Sequence, residues 1–344
     1  MILLVFLLVL LVGAGLLLKI PSVQNKVAKR TMKFLSSEMN TTVKLDYISL
    51  DFFNEIVLDG FYVEDQKGDT LLYTHQLRAD ITSYPWDWIQ KHVHLADVEL
   101  SGGKATVIRT LEDEFSSVQF LIDKLKGNGN KKRPFILSMK TLTLNNLQLA
   151  FDNQKKGKLE EIYLKNGFFN VEDIQIQENL FQLGAVELNE PSFRLYRYPV
   201  DSSRLVLFSK TNSKSTKKKN PLVIEARLVT VNNGTFEFED DRPYKPRVLP
   251  KNSFDNRHYK STNIQTVHSN LRVVEKDIFS TIESLSFIET SGFRVEEMNA
   301  DEFKFTDSEL TFNGLYMKTP NSILTDTVKS VSYTHLTLPT ILLV

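Results

Sequence analysis

The sequence predicts a mainly β protein, an antiparallel meander of strands with one apolar face. The segment Thr141–Phe151 reads TLTLNNLQLAF, in which apolar and polar residues alternate on both sides of an Asn-Asn pair. Alternation is typical of a half-buried strand, because successive side chains point to opposite faces. Leu144 and Leu147 stand three apart, so a regular strand would place them on opposite faces. A two-residue hairpin turn at Asn145-Asn146 would return both leucines to one face.

The same unit recurs elsewhere in the chain and predicts four more hairpins. Their turns are expected at Ala96-Asp97, Asn166-Gly167, Asn189-Glu190-Pro191 and Asn232-Asn233-Gly234. The spacing between units is irregular, which argues against a strict solenoid. The apolar residues that flank these turns are the candidate lining of one apolar groove: Val93, Leu95, Val98, Leu100, Leu142, Leu144, Leu147, Leu149, Phe151, Ile162, Leu164, Phe169, Val186, Leu188, Phe193, Leu195, Val229, Val231, Phe236 and Phe238.

Residues 1–20 are predicted to form a transmembrane anchor. Ile2–Leu18 carries no charge, and with the two residues that follow it would make a helix of about 28 Å, close to the hydrocarbon thickness of a bilayer. A cleaved signal peptide with Gly13-Ala14-Gly15 as its small-residue site is the alternative. The basic residues follow the run and none precedes it, so charge alone would point the body towards the cytoplasm. We expect instead that the native chain begins with a short basic segment.

Residues 21–40 are predicted to form a helix. Pro21 suits a first turn, Val23, Val27 and Phe34 fall near one face, and four basic residues fill much of the rest. Such a helix could lie on anionic headgroups beside the membrane. Alternatively, it could close the open end of a sheet, since a sheet edge needs covering.

Residues 41–127 form a first predicted β segment that ends in a capping helix near 115–126, where FSSVQFLIDKLK has helical spacing. The aromatic break Tyr84–Trp88 suits either hinge packing or a wedge at a membrane or partner. Residues 134–330 continue the β pattern, with loops expected at 199–220 and 241–262. Lys210–Asn220 has five lysines and no acid, which suits a solvated loop or a polybasic contact with lipid or nucleic acid.

Composition excludes several functions. The 42 basic and 42 acidic residues are interspersed, which does not suit a nucleic-acid partner, and the absence of cysteine excludes disulfides and thiolate catalysis. His92 and His94 could share a strand face, but no third metal ligand is evident nearby. The acidic pair Asp240-Asp241 and the run Glu112–Glu114 suit solvated loops. No catalytic or phosphate-binding motif is present, so we expect no enzyme, no cofactor and no metal.

Three stretches carry a resemblance to a known family. They are Ile20–Leu35 (IPSVQNKVAKRTMKFL), Ile48–Leu72 (ISLDFFNEIVLDGFYVEDQKGDTLL) and Ser291–Leu324. Together with the apolar N-terminus, they resemble the N-terminal part of Bacteroidetes-type TamB, a subunit of the translocation and assembly module related to AsmA-like proteins. The resemblance covers most of Met1–Lys329. It lies in strand and turn patterns, so it identifies a family without assigning residue roles.

The resemblance implies a single anchor in the inner membrane and a periplasmic β body curled into a taco- or gutter-like sheet with an apolar groove. It further implies that phospholipid moves along this groove between inner and outer membrane, and that the module assists outer-membrane protein assembly and protein secretion through a barrel of the BamA type. That barrel contact belongs to a C-terminal region that this sequence lacks. Residues 331–344 (VSYTHLTLPTILLV) resemble a non-native read-through tail, so we expect a fragment truncated near Lys329.

Three functions therefore remain open from the sequence. The first is a phospholipid conduit, since a meander with one apolar face must cover that face or dissolve something in it. The second is a structural scaffold that partners the outer-membrane barrel without carrying lipid. The third is a periplasmic adhesion or binding protein.

Overall fold

A computed structural model of the chain describes residues 26, 29–30, 32–33, 36–37, 40–50, 55–82, 92–121, 136–176, 178–201, 220–243, 250 and 253–331. The predicted anchor at residues 1–20 and all but the first residue of the predicted tail at 331–344 lie outside these ranges. Within them, no helix has the length and apolar character to cross a bilayer.

The described part of the chain is dominated by strands, which confirms the mainly β prediction. Fifteen strands belong to one sheet. They are β1 (Val43–Lys44), β2 (Tyr47–Leu50), β3 (Glu55–Glu64), β4 (Thr70–Ile81), β5 (His92–Arg109), β6 (Ile136–Ser138), β7 (Thr141–Asn153), β8 (Lys158–Gln175), β9 (Leu180–Arg197), β10 (Val223–Asp240), β11 (His258–Val274), β12 (Asp277–Glu289), β13 (Arg294–Phe305), β14 (Glu309–Thr319) and β15 (Ser322–Val331).

The sheet is open and mostly antiparallel. Its order is β1-β3-β4-β5-β7-β8-β9-β10-β11-β12-β13-β14-β15, so β1 and β15 lie at opposite edges; β2 also pairs with β3, and β6 with β5. Two junctions differ from the predicted antiparallel meander, because β5 runs parallel to β7 and β9 runs parallel to β10. Parallel neighbours need a long crossover. The two junctions follow the long connections 110–140 and 198–222.

All five predicted hairpin turns are wrong, because each predicted turn lies inside one long strand. Ala96-Asp97 belongs to β5, Asn145-Asn146 to β7, Asn166-Gly167 to β8, Asn189-Glu190-Pro191 to β9 and Asn232-Asn233-Gly234 to β10. The expectation that their apolar flanks share a face is nevertheless met. At β8, for example, a Cβ at Gly167 would lie 2.6 Å from Leu164 Cδ2 and 3.0 Å from Phe169 Cε2, so the flanking positions 164 and 169 face the same side.

A left-handed residue within the strand resolves the conflict that the sequence reasoning assigned to a turn. Asn146 has φ 52° and lies between Leu144 and Leu147. A residue in this conformation breaks the regular pleat, so two successive side chains point to the same side and the alternation resumes in the opposite phase. Asparagine tolerates this backbone, which is also why it resembled a turn signal. Glu190 and Asn233 have the same conformation in β9 and β10, with φ 50° and 56°.

The remaining connections agree in part with the predictions. Near the predicted capping helix, residues 119–121 are helical and 115–118 form bends and turns, while 122–126 lie outside the described residues. The second predicted loop is shorter than expected, since β11 begins at His258. Residues 26, 29–30, 32–33 and 36–37 are helical, as predicted for 21–40. Met32 packs against Leu45 and Ile48, which agrees with a helix that closes one end of the sheet.

The point within a strand at which the alternation changes phase is called here the phase switch. Replacing Asn146 should test whether its left-handed backbone produces the phase switch of β7. Asn146→Val should lower the free energy of unfolding by about 1–2 kcal/mol, because a β-branched side chain disfavours a left-handed backbone. Gln148→Val is the matched control, since Gln148 is also exposed, two residues further along β7, and valine suits a regular strand. Urea unfolding followed by circular dichroism would measure both. Equal stability of the two variants would contradict the assignment.

Candidate functional site

The apolar side chains of β4 to β10 form continuous rows across one face of the sheet, called here the apolar face. Cross-strand partners in a sheet share a face. One row consists of Ala79, Val98, Leu142, Phe169, Val186 and Val229. A second consists of Leu77, Leu100, Leu144, Gly167, Leu188 and Val231. A third consists of Ala105, Leu149, Ile162, Phe193 and Phe236.

Register therefore brings the sequence-predicted groove residues together. Every one of them whose side chain is described lies on the apolar face; only the side chain of Val93 lies outside the described set. Val98, Leu147, Leu164, Val186 and Val229 are buried, and Phe151 is exposed. The others are half-buried.

No second layer covers the middle of this face in the described part of the chain. In the described residues, the apolar cluster around Val186, Ala226 and Val229 takes its members from β8, β9, β10 and β11, which lie side by side. The described helix near Met32 covers only the end at β1–β3. Half-buried leucines and phenylalanines thus gain their burial from neighbours within one layer, and much apolar area remains available to another molecule.

A row of polar residues marks the phase switch on the opposite face, called here the polar row. Its members are Asp59, Gln76, Ser101, Asn145, Asn166, Asn189 and Asn232, each a register partner of the next. Side-chain hydrogen bonds join several of them. Asn166 Nδ2 donates to Asn145 Oδ1 at 2.9 Å, and Asn232 Nδ2 donates to Asn189 Oδ1 at 2.9 Å. The row therefore aligns the switches of seven neighbouring strands.

Left-handed residues follow the polar row in every strand of one direction from β3 to β10. They are Gly60, Gly102, Asn146, Glu190 and Asn233. Gly102 is restricted in a second way, since a Cβ there would lie 2.9 Å from His75 Cβ on β4. The aligned switches keep the apolar rows in phase on both sides of the polar row.

The opposite face is charged. Arg194 donates from Nη1 to Glu161 at 2.8 Å and from Nε to Glu239 at 2.9 Å, which ties β8 to β9 and β10. The hydrogen bonds to Glu239 and then to Glu161 raise the pKa of Arg194. Further pairs join Arg78 to Glu55 and Lys260 to Glu237. Exposed pairs add little stability, but the charges favour contact of this face with water and distinguish it from the apolar face.

Polar side chains interrupt the apolar face at β11 and β12. His268 is the register partner of Val229 and of Ile282, both buried. Its Nδ1 lies 2.9 Å from Ser280 Oγ, and burial lowers its pKa. Thr266 beside it donates from Oγ1 to the carbonyl of Ser284 at 2.8 Å. Each polar group thus has a partner, so the interruption costs little.

Sequence reasoning missed both ends of the apolar face. Leu58 and Phe61 on β3 pack against the buried pair Leu45 and Ile48. At the other end, a cluster on β12–β15 is centred on the buried residues Ile282, Val295, Met298, Ala300 and Leu315. These strands show alternation in the sequence, but they lack the Asn-rich interruptions that drew attention to β7–β10.

The two histidines proposed as a weak metal pair do lie close together. The rings of His92 and His94 are 6.4 Å apart between centroids. His94 Nδ1 lies 2.6 Å from Ser138 Oγ. Among the residues the structure describes, no group of three potential metal ligands gathers here or elsewhere.

No protein-family model matches the chain, and neither does any curated protein sequence. The apolar face and its charged reverse side are therefore the basis for a functional inference.

The half-buried His268 predicts a pH effect on stability. Below pH 6.5, the ordinary pKa of histidine, the unfolded state binds a proton that His268 in the folded state resists. Stability should therefore fall as pH drops from 7 through about 6.5 towards the folded-state pKa, with a slope of at most about 1.4 kcal/mol per pH unit. His268→Gln should flatten this slope in urea titrations between pH 7 and 5.

His258 provides the opposing control. Hydrogen bonds to Asp255 and then to Asp241 raise its pKa, so its contribution is present below pH 6.5 and is lost as pH rises through the folded-state pKa. His258→Gln should make the loss of stability on acidification steeper. The same response from both variants would contradict the assignment of His268.

Proposed function

We propose that this chain is a TamB- or AsmA-like protein of the inner membrane, anchored by residues 1–20, with its β body in the periplasm, and that the body is a conduit for phospholipid between the two membranes. Curling of the sheet into a gutter around the apolar face is part of the proposal. In this role it would belong to a translocation and assembly module for outer-membrane proteins. The observation that carries the proposal is the continuous apolar face without a second layer over its middle.

The extent of the apolar face suits lipid acyl chains. Its uninterrupted rows span the six neighbouring strands from β4 to β10, so five spacings of about 4.8 Å give a width of about 24 Å. Soluble monomers rarely expose apolar patches beyond a few hundred Å². Acyl chains would bury this surface at about 0.8 kcal/mol per CH₂ group, and headgroups would stay in water at the rim. Movement along such a face needs no catalytic residue.

The right-handed twist of strands supports a curved sheet, because twist accumulates over many strands and large open sheets tend to coil.

A scaffold for an outer-membrane barrel of the BamA type is the second candidate. The free edge of the sheet favours it, since β15 pairs only with β14 among the described strands. An unpaired edge can accept a strand from another protein. Photocrosslinkers on inward positions of β7 separate the two functions, because lipid adducts support the conduit and adducts to a barrel protein alone support the scaffold.

A matched pair of phenylalanines tests the conduit. Phe151 lies on the apolar face of β7 and is 39% exposed, while Phe168 lies on the polar face of β8 and is 42% exposed. Phe151→Asp should lower the phospholipid retained by the detergent-purified full chain at least severalfold, because a carboxylate opposes acyl chains. Phe168→Asp should leave it unchanged. Native mass spectrometry would count bound lipids.

The conduit proposal is wrong if the wild-type chain retains no phospholipid, or if both aspartate variants retain as much phospholipid as the wild type. Equal unfolding midpoints for the two variants would exclude misfolding as the cause of any difference.

A further inference from the structure

A cleft of about 630 Å³ lies where β5 and β7 end side by side. Val107 and Phe151, register partners on the apolar face, form its floor. Phe115 and Val118 line it from the segment that follows β5. This segment folds back onto the strand, since Ser117 N donates to the carbonyl of Ile108 at 2.7 Å and Ile108 N donates to Ser117 Oγ at 3.0 Å. The cleft therefore continues the apolar face at its rim.

Two polar side chains in the wall of this cleft have unmet hydrogen-bonding capacity. Arg109 and Asn153 are register partners at the ends of β5 and β7. Arg109 Nη2 donates to the carbonyl of Glu114 at 2.7 Å. Arg109 Nε and Asn153 Oδ1 are buried without a hydrogen-bond partner. Both atoms are closed off from solvent, so a ligand in the cleft would meet Arg109 through Nη1, which forms no hydrogen bond with the described residues.

Among the described residues, the guanidinium of Arg109 has no counter-ion. No carboxylate of the described residues forms a salt bridge with it, although Asp152, Glu114 and Glu160 line the same cleft. Asp152 accepts hydrogen bonds from Tyr198 and Gln154, and Glu160 pairs with Lys158 at 2.8 Å. Arginine binds phosphate through a planar fork of donors. The cleft thus offers a cation for an anionic group, with carboxylates around it for an ammonium.

We propose that this cleft holds the headgroup of a zwitterionic phospholipid, with its phosphate at Arg109, its ammonium towards Glu114 and Glu160, and one acyl chain running over Phe151 onto the apolar face. This inference rests on the proposed conduit function. It adds a defined position for the headgroup at the rim of the apolar face, along which acyl chains would otherwise find no preferred position. The apolar floor favours a phospholipid over free phosphate, because an inorganic ion would leave Val107, Phe115 and Phe151 without a partner.

The test compares two lipids with the same acyl chains, dioleoyl phosphatidylethanolamine and dioleoylglycerol, bound to the detergent-purified full chain. The wild type should prefer the phospholipid, since only this lipid offers a phosphate to Arg109. Arg109→Gln should reduce phospholipid binding about tenfold, equivalent to about 1.4 kcal/mol, while leaving dioleoylglycerol binding unchanged. Arg294→Gln, an exposed arginine on β13, is the matched control and should behave as the wild type.

A photoreactive phenylalanine analogue at Phe115 tests whether the lipid lies in the cleft. The same analogue at Phe168 on the polar face is the control. The substitution at Phe115 should crosslink phosphatidylethanolamine, and excess inorganic phosphate should not prevent it. Loss of crosslinking in phosphate would overturn the proposal in favour of a free-anion site.

The headgroup proposal can fail while the conduit stands. It is overturned if Arg109→Gln keeps the wild-type preference for the phospholipid, or if Phe115 yields no adduct, while Phe151→Asp still lowers total lipid. If the wild type retains no lipid of either kind, the conduit itself fails and the headgroup position fails with it.

Discussion

The aligned phase switch is the constraint on which the rest of the structure depends. A regular strand of 18 residues, the length of β8 and β9, would alternate its side chains strictly, and a single odd step in the apolar pattern would send half of its leucines to the wrong face. Here the odd step occurs in each strand at the same level of the sheet. The polar row from Asp59 to Asn232 ties these levels together, so the apolar face continues unbroken across the switch.

In this arrangement, the apolar surface that a ligand could cover is the same surface whose burial would stabilise the fold. Within one layer, a side chain such as Leu144 packs only against its lateral neighbours, and the area above it stays available. The charged reverse side, with Arg194 joined to Glu161 and Glu239, favours one side of the sheet for water. A protein built in this way is stabilised by whatever covers its apolar face, because a ligand that binds only the folded state adds to its stability. Bound lipid would then be part of the fold.

Sequence patterns predicted the strand content and the face that the apolar residues share, but not the length of the strands. The Asn-Asn signals were sound evidence for positive φ, which Asn146 and Asn233 adopt, whereas neither residue of Asn166-Gly167 does. A left-handed residue serves a hairpin turn and a strand-internal switch equally well, and only the pairing with distant strands decides between them. The Arg109 cleft could not be predicted, since it depends on the parallel register of β5 and β7 and on the return of the segment after β5.

The most direct measurement uses the absence of native cysteine. Spin labels at single cysteines along residues 142–149, in the full chain loaded with phospholipid, would compare accessibility to oxygen, which dissolves among acyl chains, with accessibility to a water-soluble nickel chelate. The account predicts oxygen-rich, water-poor signals at 142, 144, 147 and 149, with the reverse at 143, 145, 146 and 148. Equal access on both sides of β7, or a strict alternation that runs through 146 without a change of phase, would contradict it.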